Sequence, residues 1–220
     1  MRQLFSVSKL FSVMATVFVM TVAVGCQAGS GEKFEAGKHY FVLPQPVRTS
    51  DPQKIEVAEV FWYGCPHCFQ YTSQVKEWAD GLQEDVTFVR NPSTLGRKTA
   101  EIHTRAYYAA KAMGNLDKMH GKLFSAYHVK KNRMKNEREI SDVFLEAGVE
   151  RDQFSSVFNS FGVISQSMQA QSRATGYRVT GTPCIIVNGK YRITGESAGS
   201  NEGMLEVAEF LIEKERQAKK

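Results

Sequence analysis

A chain of 220 residues is long enough for one sizeable domain, or for a domain carrying an insertion. Its 28 Lys and Arg against 23 Asp and Glu give a formal net charge of +5 at pH 7, a balance too small to point to a nucleic-acid partner. Four cysteines in a chain of this size exclude a disulfide-stapled mini-protein, because a core this large needs no staples.

Residues 1–25 hold two charges, Arg2 and Lys9, ahead of an apolar run over residues 10–24 that ends in small side chains. This reads as a secretory signal peptide, too short and wrongly flanked for a stable spanning helix. Its removal leaves 26 basic against 23 acidic residues, a net +3. Export places the mature chain where disulfides persist. Cys26 sits at the junction, in TVAVGCQAGSGE, and two readings stay open there. AVGC resembles a bacterial lipobox, with Ala23 where Leu is usual; a lipid on Cys26 would attach the protein to a membrane facing the periplasm, and residues 26–33 would form a short tether. Ordinary cleavage after Ala28 would discard Cys26 instead.

After an irregular start with Pro44, Pro46 and Pro52, residues 54–63 (KIEVAEVFWY) carry the Val, Ile and aromatic content of a strand. Glu59 lies inside it. On an edge strand it would face solvent; beneath the cysteines it would be a proton carrier with a raised pKa. Gly64 ends the strand, and Pro66 fits the first turn of a helix running through Phe69, Tyr71, Val75 and Trp78. A second strand follows at residues 86–91. The unit is strand-helix-strand, with Cys65 and Cys68 at the carboxyl end of a strand and the start of a helix.

Residues 97–174 then read as successive helices punctuated by Gly114-Asn115, Gly148 and Gly162. The basic run over residues 130–138 reads as a solvated loop or helix face, or as a surface for an acidic partner. Strand character returns at residues 183–193, PCIIVNGKYRI, where Asn188-Gly189 is a strong hairpin signal. An amphipathic helix at residues 201–215 closes the chain, with Met204, Leu205, Ala208, Leu211 and Ile212 on one face.

The chemistry gathers at Cys65-Pro66-His67-Cys68. A thiolate is the species that attacks a disulfide, and a helix N-terminus with its unpaired N–H groups stabilises one. Pro66 fixes the first turn without losing a needed donor, and His67 adds a positive neighbour if protonated. Cys68 lies one turn further on, inside the helix, as the thiol that resolves a mixed disulfide. A stabilised thiolate favours the reduced enzyme and so makes its disulfide oxidising. Rival readings are a zinc or copper module using Cys65, Cys68 and His67, short of the four ligands of a structural zinc site, and a purely structural disulfide. In GTPC, Pro183 reads as a trans proline opening an edge strand or, beside a redox Cys-x-x-Cys, as a cis-proline loop whose Thr182 backbone pairs with a substrate peptide.

Taken together, Cys-Pro-His-Cys after an aromatic strand, GTP at residues 181–183, VNGKY at residues 187–191 and the helical insertion resemble the DsbA family of periplasmic thiol:disulfide oxidoreductases. The resemblance spans residues 34–215. It implies an α/β chain with a thioredoxin fold and an inserted all-helical subdomain: residues 34–96 as the first part, 97–174 as the insertion and 175–220 as the second part. It further implies a periplasmic monomer that oxidises reduced, unfolded exported proteins and is reoxidised by an inner-membrane partner of DsbB type. No cofactor or metal is implied beyond the Cys65–Cys68 disulfide. Cys65 would be the nucleophile, Cys68 the second thiol, Pro66 and His67 the tuning dipeptide, Thr182 and Pro183 the substrate loop, and Glu59 the buried acid. An isomerase or reductase on the same scaffold remains the alternative. Cys184 departs from the family pattern, and is expected to be a small buried hydrophobe unless it reaches Cys65.

Overall fold

The computed structural model describes residues 32–219. The expected signal peptide, Cys26 and most of the expected tether at residues 26–33 lie outside the described residues. Among the described residues no helix is long and apolar enough to cross a membrane.

Chain order is β1 (Phe41–Val42), β2 (Ile55–Phe61), α1 (Pro66–Asp80), β3 (Val86–Pro92), α2 (Lys98–Ala112), α3 (Leu116–His128), α4 (Glu137–Leu145), α5 (Arg151–Phe158), α6 (Phe161–Gly176), β4 (Cys184–Val187), β5 (Tyr191–Thr194) and α7 (Asn201–Ala218). The strands form one mixed sheet in the order β1-β5-β4-β2-β3, parallel only between β2 and β3. With five helices between β3 and β4, this is a thioredoxin fold carrying a helical insertion.

β2 is central and every residue of it is buried. Its alternation sorts the core: Val57 packs toward α1 and α7 with Tyr71, Val75, Val207 and Leu211, while Ala58 and Val60 face Leu43, Tyr177 and Ile186 on the other side. Phe61, at the end of β2, joins a third cluster with Tyr63, Cys65, Cys68 and the buried faces of α2 to α6. The Cys-Pro-His-Cys motif therefore sits at the seam between sheet and insertion.

The hairpin turns as Asn-Gly requires. Asn188 and Gly189 both have positive φ, at 50° and 62°, and an added Cβ on Gly189 would fall onto the Val47 carbonyl. Two features depart from the sequence reading. β1 lies in the stretch expected to be irregular, and two residues are too few to show a strand period. Gly162 is inside α6, not between helices; the break is set two residues earlier by Ser160, whose hydroxyl caps Val163 N–H.

Candidate active site

Cys65 is the N-cap of α1. Its backbone is extended (φ −85°, ψ 118°), Pro66 occupies the first turn, and Cys68 N–H donates to Cys65 Sγ at 3.4 Å. The Cys65 thiol reaches the Thr182 carbonyl at 3.2 Å, and Thr182-Pro183 is a cis peptide. Thus β2, α1 and the loop before β4 bring Cys65, Pro66, His67, Cys68, Thr182 and Pro183 together. Pro183 does not open an edge strand, because β4 runs between β5 and β2.

The two thiols differ electrostatically. Hydrogen bonding from the Cys68 thiol brings the Cys65 pKa down to about 5 against the opposing effect of burial, with help from the Thr182 side chain and the backbone N–H groups of Cys68 and His67. Burial, reinforced by the bond it donates to Cys65, pushes the Cys68 thiol well up. One sulfur is built to be a thiolate and the other to hold its proton.

His67 stands beside Cys65 at the start of α1. Its side chain is exposed, and what it lends Cys65 is its backbone N–H. His128, which the sequence reading missed, also comes within reach of the Cys65 charge, although burial is the larger influence and lowers its pKa. No local signal marks it, because it arrives from α3, sixty residues away.

Glu59 is fully buried, on the β2 face shared by Val57 and Phe61. The reading of a solvent-facing edge residue is excluded. Arg90, its register partner on β3, donates to Glu59 Oε2 at 3.0 Å, while Oε1 has no hydrogen-bond partner among the described residues. Burial raises its pKa to about 7, with Arg90 opposing.

Cys184 is also buried, but it packs among Leu43, Ala58, Val60, Tyr177 and Ile186, away from the cluster that holds Cys65 and Cys68. Burial pushes its thiol up to about 12. It is an inert core thiol on the other side of the sheet. Among the described residues no group of three His, Cys, Asp or Glu side chains is placed to hold a metal ion, so the metal-module reading gains no support.

A family model described as a DSBA-like thioredoxin domain matches residues 56–201. The chain is 38% identical over 209 residues to the thiol:disulfide interchange protein DsbA of Pseudomonas aeruginosa, across 95% of this chain and 99% of that protein. The crystal structure of Pseudomonas aeruginosa DsbA superposes with a TM-score of 0.80 at 40% identity, covering 84% of this chain and 96% of that one. A variant of Proteus mirabilis DsbA, solved with a non-covalently bound peptide PWATCDS, superposes with a TM-score of 0.70 at 25% identity, covering 81% of this chain and 98% of that one.

Proposed function

The chain belongs to the DSBA-like thioredoxin family and is a thiol:disulfide oxidoreductase; from that premise we propose that Cys65 and Cys68 are its redox pair and donate their disulfide to reduced, unfolded exported proteins. The observation that carries this is the asymmetry of the pair: a Cys65 thiolate favoured at the cap of α1 beside a Cys68 thiol kept protonated by burial.

In the oxidised enzyme a client thiolate attacks Cys65 Sγ. The Cys65–Cys68 bond breaks, Cys68 leaves with the electron pair and takes up a proton, and a mixed disulfide joins client to Cys65. A second client thiolate attacks the client sulfur of that bond, expelling Cys65 as a stable thiolate. The client loses two electrons and gains a disulfide; the enzyme becomes a dithiol. A partner of DsbB type in the inner membrane returns it to the disulfide, and the periplasm is the compartment that suits this cycle.

Thr182 presents backbone to an extended cysteine-containing segment, a mode supported by the peptide held by the Proteus relative. Glu59, with a pKa near neutrality, is the proton carrier that serves Cys68. Mixing the oxidised protein with a reduced, unfolded client tests the reading. One client disulfide formed per oxidised enzyme supports it, as does a mixed disulfide trapped on Cys65 when reduced Cys68→Ala attacks a disulfide-bonded client and a client thiolate leaves, with Cys65→Ala trapping none. Trapping on Cys68 or Cys184 overturns the residue assignment.

A further inference from the structure

Three of the five histidines come off the helical insertion and hold two consecutive residues, Trp62 and Tyr63, between the end of β2 and the redox motif. His120 on α3 places Nδ1 3.0 Å from the Tyr63 hydroxyl and Nε2 3.2 Å from Thr72 Oγ1 on α1. His128, eight residues further along α3, donates from Nε2 to the Tyr63 carbonyl at 2.8 Å and lies flat on Phe69, with ring centroids 4.9 Å apart and planes at 7°. His103 on α2 is buried, and its Nδ1 accepts from Trp62 Nε1 at 3.1 Å.

His103 has the role of both its ring nitrogens fixed by its partners. An indole N–H can only donate, so Nδ1 is bare and the ring proton sits on Nε2. That nitrogen faces two acceptors, the carbonyls of Arg133 at 3.2 Å and Met134 at 3.1 Å. Both ends of the imidazole are thereby committed, one to the loop before α4 and one to Trp62. The Trp62 carbonyl in turn accepts the Cys65 N–H at 2.9 Å. The turn is tight: a Cβ on Gly64 would fall into the Trp62 ring, so the indole direction and the path of the chain into Cys65 are fixed together.

We propose that His103 is a positioning residue for the redox pair: by holding the Trp62 indole it sets the turn that presents Cys65 at the cap of α1, so that the helical insertion tunes the dithiol as well as covering it. The inference rests on the assignment of Cys65 and Cys68 as the redox pair. A loosened turn weakens the alignment of Cys65 Sγ with the Cys68 N–H that donates to it. The thiolate then loses stabilisation, the reduced form loses population, and the protein becomes a weaker oxidant.

The test compares His103→Phe, which keeps a ring and removes the acceptor, Trp62→Phe, which removes the donor, their double variant, and His103→Asn, whose Oδ1 can replace Nδ1. Each is equilibrated with glutathione buffer, and its thermal midpoint is recorded. Both single Phe variants are expected to shift the equilibrium at least threefold toward the disulfide, the double variant no further than the larger single, and His103→Asn to stay within twofold of the parent. Lowered midpoints with unchanged equilibria, or additive shifts in the double variant, overturn the proposal. Should His103→Phe fail to fold, Trp62→Phe carries the same comparison. The parent's own equilibrium is read separately: a reducing parent removes the donor reading while leaving the variant differences to be judged.

Discussion

The depressed pKa of Cys65 makes a prediction whose size follows from the site. Take pH as the perturbation and compare reduced with oxidised protein. At pH 7 the sulfur stands about two units above its folded value of about 5 and two below its ordinary 9.0. Each unit is worth about 1.4 kcal/mol, so the thiolate stabilises the reduced fold by about 3 kcal/mol at most, and solvent screening at the helix end brings this to about 1–3 kcal/mol. Because the folded pKa is lowered, the stabilisation grows from this pH 7 value to its full four units, about 5 kcal/mol before the same discount, above pH 9, and is lost as pH falls through about 5. The oxidised protein lacks the titrating thiol and shows no such gain. Reduction should take up two protons below pH 5 and one between 5 and 9, so the potential should fall by roughly 60 and then roughly 30 mV per pH unit. Thiolate absorbance of the reduced minus the oxidised protein gives the midpoint, and redox equilibration across pH gives the slope. A midpoint near 9, with the steeper slope continuing from pH 5 to 8, would refute the reasoning.

Glu59 gives the opposite slope. Its folded pKa of about 7 lies above the ordinary 4.5, so the native state binds the extra proton and stability falls as pH rises between these values, by about 3 kcal/mol at most. In oxidised protein, where Cys65 does not titrate, denaturation should show this fall, and Glu59→Gln should flatten it; an unchanged slope would remove Glu59 as its source. Alkylation of the native reduced protein at neutral pH should label Cys65 and spare Cys184, whose label should appear only after unfolding. Rapid native labelling of Cys184 would contradict its placement in the core. Gly189→Ala should destabilise the protein by at least about 1–3 kcal/mol, since the turn needs positive φ and the new Cβ meets the Val47 carbonyl. Chemical denaturation checks this, and a neutral outcome would mean that the turn relaxes.

The parts of the fold written in short-range chemistry were legible. Pro66 after Gly64 marks the start of α1, the Val and Ile content of residues 55–61 marks β2, and Asn188-Gly189 marks the hairpin between β4 and β5. What the sequence hid depends on neighbours far along the chain. Local pattern alone leaves Glu59 open between an edge residue and a buried acid, and the choice is made by β3 and β4 on either side of β2. Cys184 is two residues from Thr182, yet the sheet separates it from the redox pair, because its side chain packs with Ala58 and Val60. His67 drew attention by adjacency, while His103, His120 and His128 do their holding from α2 and α3 and carry no pattern that tells a core imidazole from a clamp.

The central claim is that the Cys65 cap makes an oxidising disulfide. Equilibrating the mature protein with glutathione buffer, followed by thiol alkylation and mass spectrometry of Cys65 and Cys68, tests it most directly. DsbA itself, the family's reference oxidant, stands at about −120 mV, and thioredoxin at about −270 mV. The account predicts a potential toward the DsbA end. A value near that of thioredoxin would contradict it, and would mean that the helix terminus and the Cys68 hydrogen bonds do not hold the thiolate as the geometry implies.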